Sequence, residues 1–152
     1  MARKHTRRAT PAMRVSFFKL VEKRASYWEA QCGQSTIPGT SMALGRGDMP
    51  HDLIQFVAEA TAGMSDGFWG SVADGATFKS IGRKRTRAGQ AVIAKNRDGL
   101  ARSEGLAGRC HAEWLAGVDS PTSRALTMAD QAWRALGDGD SFTLSWPDLR
   151  LS

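Results

Sequence analysis

The sequence has little of what marks a secreted or membrane protein. Its 152 residues include only two cysteines, Cys32 and Cys110, and these form no CxxC pair. That usage is typical of a reducing compartment with two packed or idle thiols, and one disulfide between them stays open. No apolar run approaches the roughly 18 residues of a spanning helix, and no apolar segment follows the charged N-terminus as in a secretory signal. We therefore expect a cytoplasmic protein without a membrane partner.

The motifs of common nucleotide-binding and hydrolase sites are also absent. The chain contains no GxxxxGK[ST], no GxGxxG after a predicted strand and no GxSxG. It has three histidines, His5, His51 and His111, so histidine-based catalysis would depend on His51 or His111. The neighbouring Cys110 and His111 are more typical of helix packing than of a metal site.

Acidic residues are missing from the first fourteen positions, so most of the net positive charge of the chain lies in this N-terminal segment. The net charge is +6, from 21 Lys and Arg against 15 Asp and Glu. Five of the 21 basic residues lie within residues 1–14, and the remaining 16 leave a net charge of +1. We predict a flexible basic arm over residues 1–12 and a single domain over residues 13–152. Met13, directly before the first predicted strand, is an alternative translation start.

Two basic runs predict an anionic partner. Each Lys or Arg that neutralises a phosphate releases counterions and adds salt-dependent affinity. The runs contain no aromatic residue for base stacking, and the chain has no helix-turn-helix or RNA-recognition signature. The leading hypothesis is a non-enzymatic intracellular binding protein that contacts nucleic acid or an acidic protein; the alternative is a solubilising tail and a solvated loop. The candidate anion-binding residues are Arg3, Lys4, Arg7, Arg8, Arg83, Lys84, Arg85 and Arg87.

Strand patterns lie at both ends of the domain. The segments MRVSFFKLV and RASYWEAQ are rich in Val, Phe, Tyr and Trp, and the polar break at residues 22–24 predicts a hairpin between them. Apolar and polar residues alternate in DSFTLSWP, which predicts a C-terminal strand. The Gly-, Ser- and Pro-rich segment GQSTIPGTSMALGRGD predicts a loop.

Helical patterns fill the centre of the chain. Residues 50–62 predict a helix capped by Asp48 or Met49, and MSDGFWGSVADGATF predicts a shorter helix with Ser65 as its cap. The glycines of GFWG permit a close backbone approach. Residues 88–117 predict two helices or one bent helix, with a buried stripe every seven residues. Ser120 and Pro121 begin a further helix. The buried stripe predicted within residues 88–117 consists of Ile93, Leu100, Ala107 and Trp114.

Together these patterns predict an α+β fold. Its small antiparallel sheet combines the N-terminal hairpin with the C-terminal strand, and four or five helices pack on it. The composition, with 41% hydrophobic and 24% charged residues, is that of an ordinary globular protein.

The helix predicted at residues 50–62 carries a polar row opposite its apolar arc. His51, Gln55 and Glu59 recur every four residues, with Asp52 beside them, so they share one side of the helix. One interpretation is an acid–base enzyme that uses His51, Asp52 and Glu59. Another is a divalent metal bound by His51 and Glu59, which Gln55 disfavours because it replaces the second histidine of an HExxH frame. The third is a solvated face without a function.

The same segment resembles a group of small, uncharacterised bacterial proteins. MPHDLIQFVAEA followed closely by GFWG is similar to a PHDLxHF motif that precedes a Gly-aromatic segment in that group. The resemblance covers residues 49–70 and implies no reaction, because no activity is established for the group. The chain departs from the motif at Gln55, where the group typically carries His. If the group binds a metal through both histidines, this chain lacks one of the two ligands.

Overall fold

A computed structural model of the protein describes residues 12–39, 41–44, 49–79, 81 and 84–152. The predicted α+β fold is confirmed: the N-terminal hairpin and the C-terminal strand share an antiparallel sheet, and helices pack on it. The predicted basic arm lies outside the described residues, except for Ala12. In the described residues the elements are β1 (Met13–Leu20), β2 (Ala25–Cys32), β3 (Ser35–Pro38), β4 (Met42–Ala43), α1 (His51–Thr61), α2 (Phe68–Ala73), α3 (Arg87–Lys95), α4 (Arg97–Leu115), α5 (Pro121–Arg134) and β5 (Ser141–Trp146).

The sheet is built around β1. Its strand order is β3-β2-β1-β5, with β4 also paired to β2, and every pairing is antiparallel. Phe17 lies opposite Trp28 on one side and Phe142 on the other. Side chains alternate between the two faces of a strand, so Met13, Val15 and Phe17 are all buried on the face that carries the core.

The segment predicted as a loop after β2 contains two short strands, β3 and β4, which corrects that prediction. Ile37 in β3 is 2% exposed and belongs to the core. A strand of four residues that includes Ser, Thr and Pro lacks the apolar alternation that identifies longer strands. Here β3 lies at the end of the strand order, where a proline is tolerated.

Helix α1 is the centre of the fold. Phe56 makes edge-to-face ring contacts with Phe17 and Trp146 of the sheet, at centroid distances of 5.7 and 5.1 Å. Every residue from Leu53 to Glu59 is buried. The apolar arc therefore packs as predicted, but the opposite arc is not a solvated face over this stretch. It faces α4, where Gln55 contacts Ser103.

Residues 87–115 form two helices, one of the two predicted arrangements, and α3 meets α4 at Asn96. The predicted stripe is only partly buried: Ala107 is buried, whereas Ile93, Leu100 and Trp114 are of intermediate exposure. The buried residues of α4 are instead Gly99, Ser103 and Ala107, which recur every four residues. Small side chains on this stripe bring α4 close to its neighbours.

The helix starts are only partly as predicted. Ser120 caps α5 by accepting a hydrogen bond from the Ser123 amide at 3.0 Å, as its position before Pro121 indicated. Helix α1 instead follows Pro50, which makes no side-chain cap, and α2 follows Gly67 rather than Ser65. The missing cap of α2 is supplied by Glu59 of α1.

Two further expectations concern the cysteines and the membrane. Cys32 and Cys110 are not joined in a disulfide. None of the helices among the described residues combines the length and the apolar character needed to cross a membrane.

Candidate functional site

Glu59, near the end of α1, caps the N-terminus of α2. Its Oε2 accepts from the Phe68 amide at 2.9 Å, and its Oε1 accepts from the amides of Trp69 at 3.0 Å and Gly70 at 3.4 Å. Ser103 Oγ of α4 donates to Oε2 at 2.7 Å. The first amides of a helix have no partner within that helix, so Glu59 satisfies three of them from another element. The carboxyl group therefore joins α1, α2 and α4.

A glycine makes room for this carboxyl group. A Cβ atom at Gly67 would lie 2.5 Å from both Cδ and Oε1 of Glu59, which is closer than a real contact allows. Gly67 is the residue before Phe68 and opens the GFWG segment. Because Gly67 has no side chain, the backbone at the start of α2 can lie directly against the buried carboxyl group of Glu59.

Burial dominates the electrostatics of Glu59. The residue is 0% exposed, and this burial raises the pKa of its carboxyl group to about 7. The hydrogen bonds from Ser103 and the α2 amides favour the ionised form and offset only part of the rise. Because the folded state holds this proton more tightly, the stabilising contribution is complete below the ordinary pKa of 4.5. It is lost as the pH rises through about 7.

Gln55 extends this network toward the start of α1. It is 3% exposed, and its Nε2 donates to Ser103 Oγ at 2.8 Å. Since Ser103 donates its own proton to Glu59, its oxygen is the acceptor for Gln55. The amide orientation of Gln55 is fixed by this chain of donors. Its Oε1 has no hydrogen-bond partner within the described part of the protein.

A pocket of about 340 Å³ opens at the start of α1. Aromatic and aliphatic side chains form one part of its wall, and polar side chains from α1 and α4 form the rest. The two aromatic residues, Trp28 and Phe68, meet edge to face with ring centroids 6.2 Å apart. The described lining residues are Trp28, Met42, His51, Asp52, Gln55, Phe68, Ile81 and Glu104.

The charged groups of the pocket differ in exposure. His51 Nε2 lies 3.7 Å from Glu104 Oε2, and their side chains are 53% and 67% exposed, so this pair lies at the rim. Asp52 is half-buried. Burial raises the pKa of its carboxyl group, while nearby His51 and a hydrogen bond from the Trp28 side chain act in the opposite direction.

The structure divides the predicted catalytic residues into two places. His51 and Asp52 both line the pocket, whereas Glu59 is not among its lining residues. His51 and Glu59 lie eight residues apart on α1, a rise of about 12 Å at the α-helical repeat. The structure therefore does not bring these two predicted metal ligands together. Among the described residues, no group of three or more His, Cys, Asp or Glu side chains is placed to hold a metal ion.

The partners of the polar row were not predicted from the sequence. Glu104 and Trp28 line the pocket, and Ser103 connects Gln55 to Glu59. Ser103 and Glu104 follow Gly99 along α4, and no motif in the sequence indicated that they face α1. The four-residue spacing of Gly99, Ser103 and Ala107 was the available signal.

The candidate anion-binding residues are described only in part. Lys84, Arg85 and Arg87 are exposed and lie directly before or at the start of α3. None of the three makes a hydrogen bond or ion pair with an acidic residue in the part of the chain that the structure describes. Arg83 and the arm residues Arg3, Lys4, Arg7 and Arg8 lie outside the described residues.

Comparisons with models of known protein families, with curated proteins and with solved structures found no significant match to this chain.

Proposed function

We propose that this protein is a non-enzymatic binding protein that contacts an anionic partner through its basic segments. The observation that carries the proposal is the exposed run Lys84, Arg85 and Arg87, which has no acidic partner among the described residues. Three unneutralised cations within four positions create a local positive potential, although residues 15–152 are close to neutral.

The attachment of this run to the fold supports the proposal. Thr86 caps α3 by accepting from the Gly89 amide at 2.9 Å, and the Thr86 amide donates to Thr77 Oγ1 at 3.2 Å. Gln90 also donates to the Thr77 carbonyl at 2.6 Å. The cations therefore stand at a fixed helix start, whose dipole also favours negative charge. A phosphate backbone fits this arrangement, and we favour nucleic acid as the partner.

Binding to a 20-base-pair DNA duplex tests the proposal. We expect the affinity to fall steeply with salt. The triple variant Lys84→Ala, Arg85→Ala, Arg87→Ala should reduce the slope of log K against log salt by about 2 to 3, because each phosphate contact contributes about 0.9. Deletion of residues 1–12 should also weaken binding. Fluorescence anisotropy at several salt concentrations measures both effects.

A second triple variant controls for total charge. Lys23, Lys95 and Arg97 are also exposed cations, and their replacement by alanine lowers the net charge by the same three units. The proposal requires that this control retain the wild-type slope. Salt-independent binding, or equal losses in the two triple variants, would contradict it. Equal affinity for poly-glutamate would place an acidic protein rather than nucleic acid as the partner.

The alternative of an acid–base or metal-dependent enzyme on α1 has less support. It requires His51, Asp52 and Glu59 to act at one place, and Glu59 lies about two helical turns from His51. The oxygens of Glu59 already accept four hydrogen bonds from α2 and α4. These contacts are those of a carboxyl group that holds three helices together.

A further inference from the structure

We infer that the pocket at the start of α1 binds an alkylguanidinium group, either of a free small molecule or of an arginine side chain. The inference does not depend on the proposed anionic partner. Three features indicate this ligand: the polar groups that line the pocket, the apolar walls around them, and the Gln55 carbonyl oxygen, which lacks a hydrogen-bond donor.

The polar atoms of the pocket are mostly acceptors. Asp52 and Glu104 contribute carboxyl groups, and no lysine or arginine is among the described lining residues. Glu104 lies 3.7 Å from His51 at the rim, and Asp52 accepts a hydrogen bond from the Trp28 side chain. Gln55 adds an independent observation, because the residue is only 3% exposed and its Oε1 lacks a hydrogen-bond partner in the described residues. This oxygen is not enclosed, because among the described residues only the indole nitrogens of Trp133 and Trp146 are fully buried without a partner. A donor for it must therefore come from water or from a ligand in the pocket. The pocket therefore favours a ligand that carries several N–H donors and a positive charge.

The walls distinguish guanidinium from ammonium. Trp28 and Phe68 present aromatic rings, and Met42 and Ile81 are aliphatic. A guanidinium group is planar and more weakly hydrated than an ammonium group, so it loses less hydration on entering a pocket with apolar walls. The N–H groups of a guanidinium group can also donate hydrogen bonds to a carboxylate and to an amide oxygen at the same time. A volume of about 340 Å³ accommodates the group with a short alkyl chain.

Calorimetric titration with n-propylguanidinium tests the inference on the full-length protein. We expect saturable binding, weaker binding of n-butylammonium and at least about tenfold weaker binding of n-propylurea, the neutral isostere. Amide and indole NMR signals of Trp28, Asp52 and Gln55 should shift during the titration. Agmatine and N-acetylarginine amide then distinguish a free small molecule from an arginine side chain as the ligand. Tighter binding of agmatine indicates a free amine compound, and tighter binding of N-acetylarginine amide indicates a peptide.

Variants locate the binding site. Asp52→Asn preserves the size of the side chain and should weaken propylguanidinium binding about tenfold. Glu104→Gln, at the exposed rim, should weaken it less without affecting folding, and Asp98→Asn, at an exposed position of α4 outside the pocket, should not change it. Absence of saturable binding, equal binding of propylurea, or wild-type affinity in both Asp52→Asn and Glu104→Gln would overturn the inference.

Discussion

Glu59→Ala is expected to lower the free energy of unfolding by about 3–5 kcal/mol at pH 7. The substitution removes the acceptor of the Phe68, Trp69 and Gly70 amides and of the Ser103 hydroxyl. These donors are buried or partly buried, so each one left without a partner is destabilising by about 1–3 kcal/mol. The Glu59→Ala substitution also leaves an empty volume between α1, α2 and α4. Urea denaturation followed by tryptophan fluorescence measures the change.

Two variants make the result specific to the network. Glu59→Gln retains one acceptor oxygen but turns an NH₂ group toward existing donors, so we expect a smaller loss. Glu113→Ala removes an exposed glutamate of α4 and should change the free energy of unfolding by less than about 0.5 kcal/mol. If Glu59→Ala were as mild as Glu113→Ala, the cap of α2 would contribute little to stability.

Gly99→Ala and Gly108→Ala are expected to change stability in opposite directions. A Cβ at Gly99 would meet the backbone oxygen and carboxyl group of Asp66 at less than 3.0 Å, whereas a Cβ at Gly108 would have no atom within 4 Å. We expect Gly99→Ala to destabilise the protein by about 1–3 kcal/mol through overpacking. Gly108→Ala should stabilise it by about 1 kcal/mol, because alanine favours the helix.

The pair is internally controlled, since both glycines lie in α4 and both become alanine. Both substitutions replace glycine by alanine within one helix, so most of the difference between the two free energies of unfolding reports the contact with Asp66. Thermal and urea denaturation of the two variants give that difference. Equal stabilisation by both substitutions would show that α4 does not approach the Asp66 backbone this closely.

Regular patterns explain which parts of the fold were predictable. Apolar residues on one arc of α1 and the alternation in β1 and β5 are consequences of burial, and such periodicity is visible in a single sequence. Strand β3 was missed because its four residues include only one buried apolar side chain, Ile37. In α4 the buried positions are small, and hydrophobic periodicity gives little weight to Gly99 and Ser103.

The polar row on α1 shows why the site was harder to predict than the fold. A solvated face and a buried hydrogen-bond network have the same residue types at the same spacing. The difference lies in the partners, and Ser103 is 44 residues from Glu59 in the chain. Gly67 gave a partial signal, because its missing side chain makes room for the carboxyl group. The four-residue spacing correctly indicated one side of the helix but not what lies against it.

The carbon-13 titration of the Glu59 side-chain carboxyl group tests whether this group is buried between α1, α2 and α4. A solvated glutamate on a helix would titrate near its ordinary pKa of 4.5, and burial between α1, α2 and α4 raises that pKa to about 7. We expect a midpoint near 7, and a stabilising contribution of Glu59 to the free energy of unfolding that is lost as the pH rises from below 4.5 to above 7. A midpoint near 4.5 and a flat pH profile would contradict this burial.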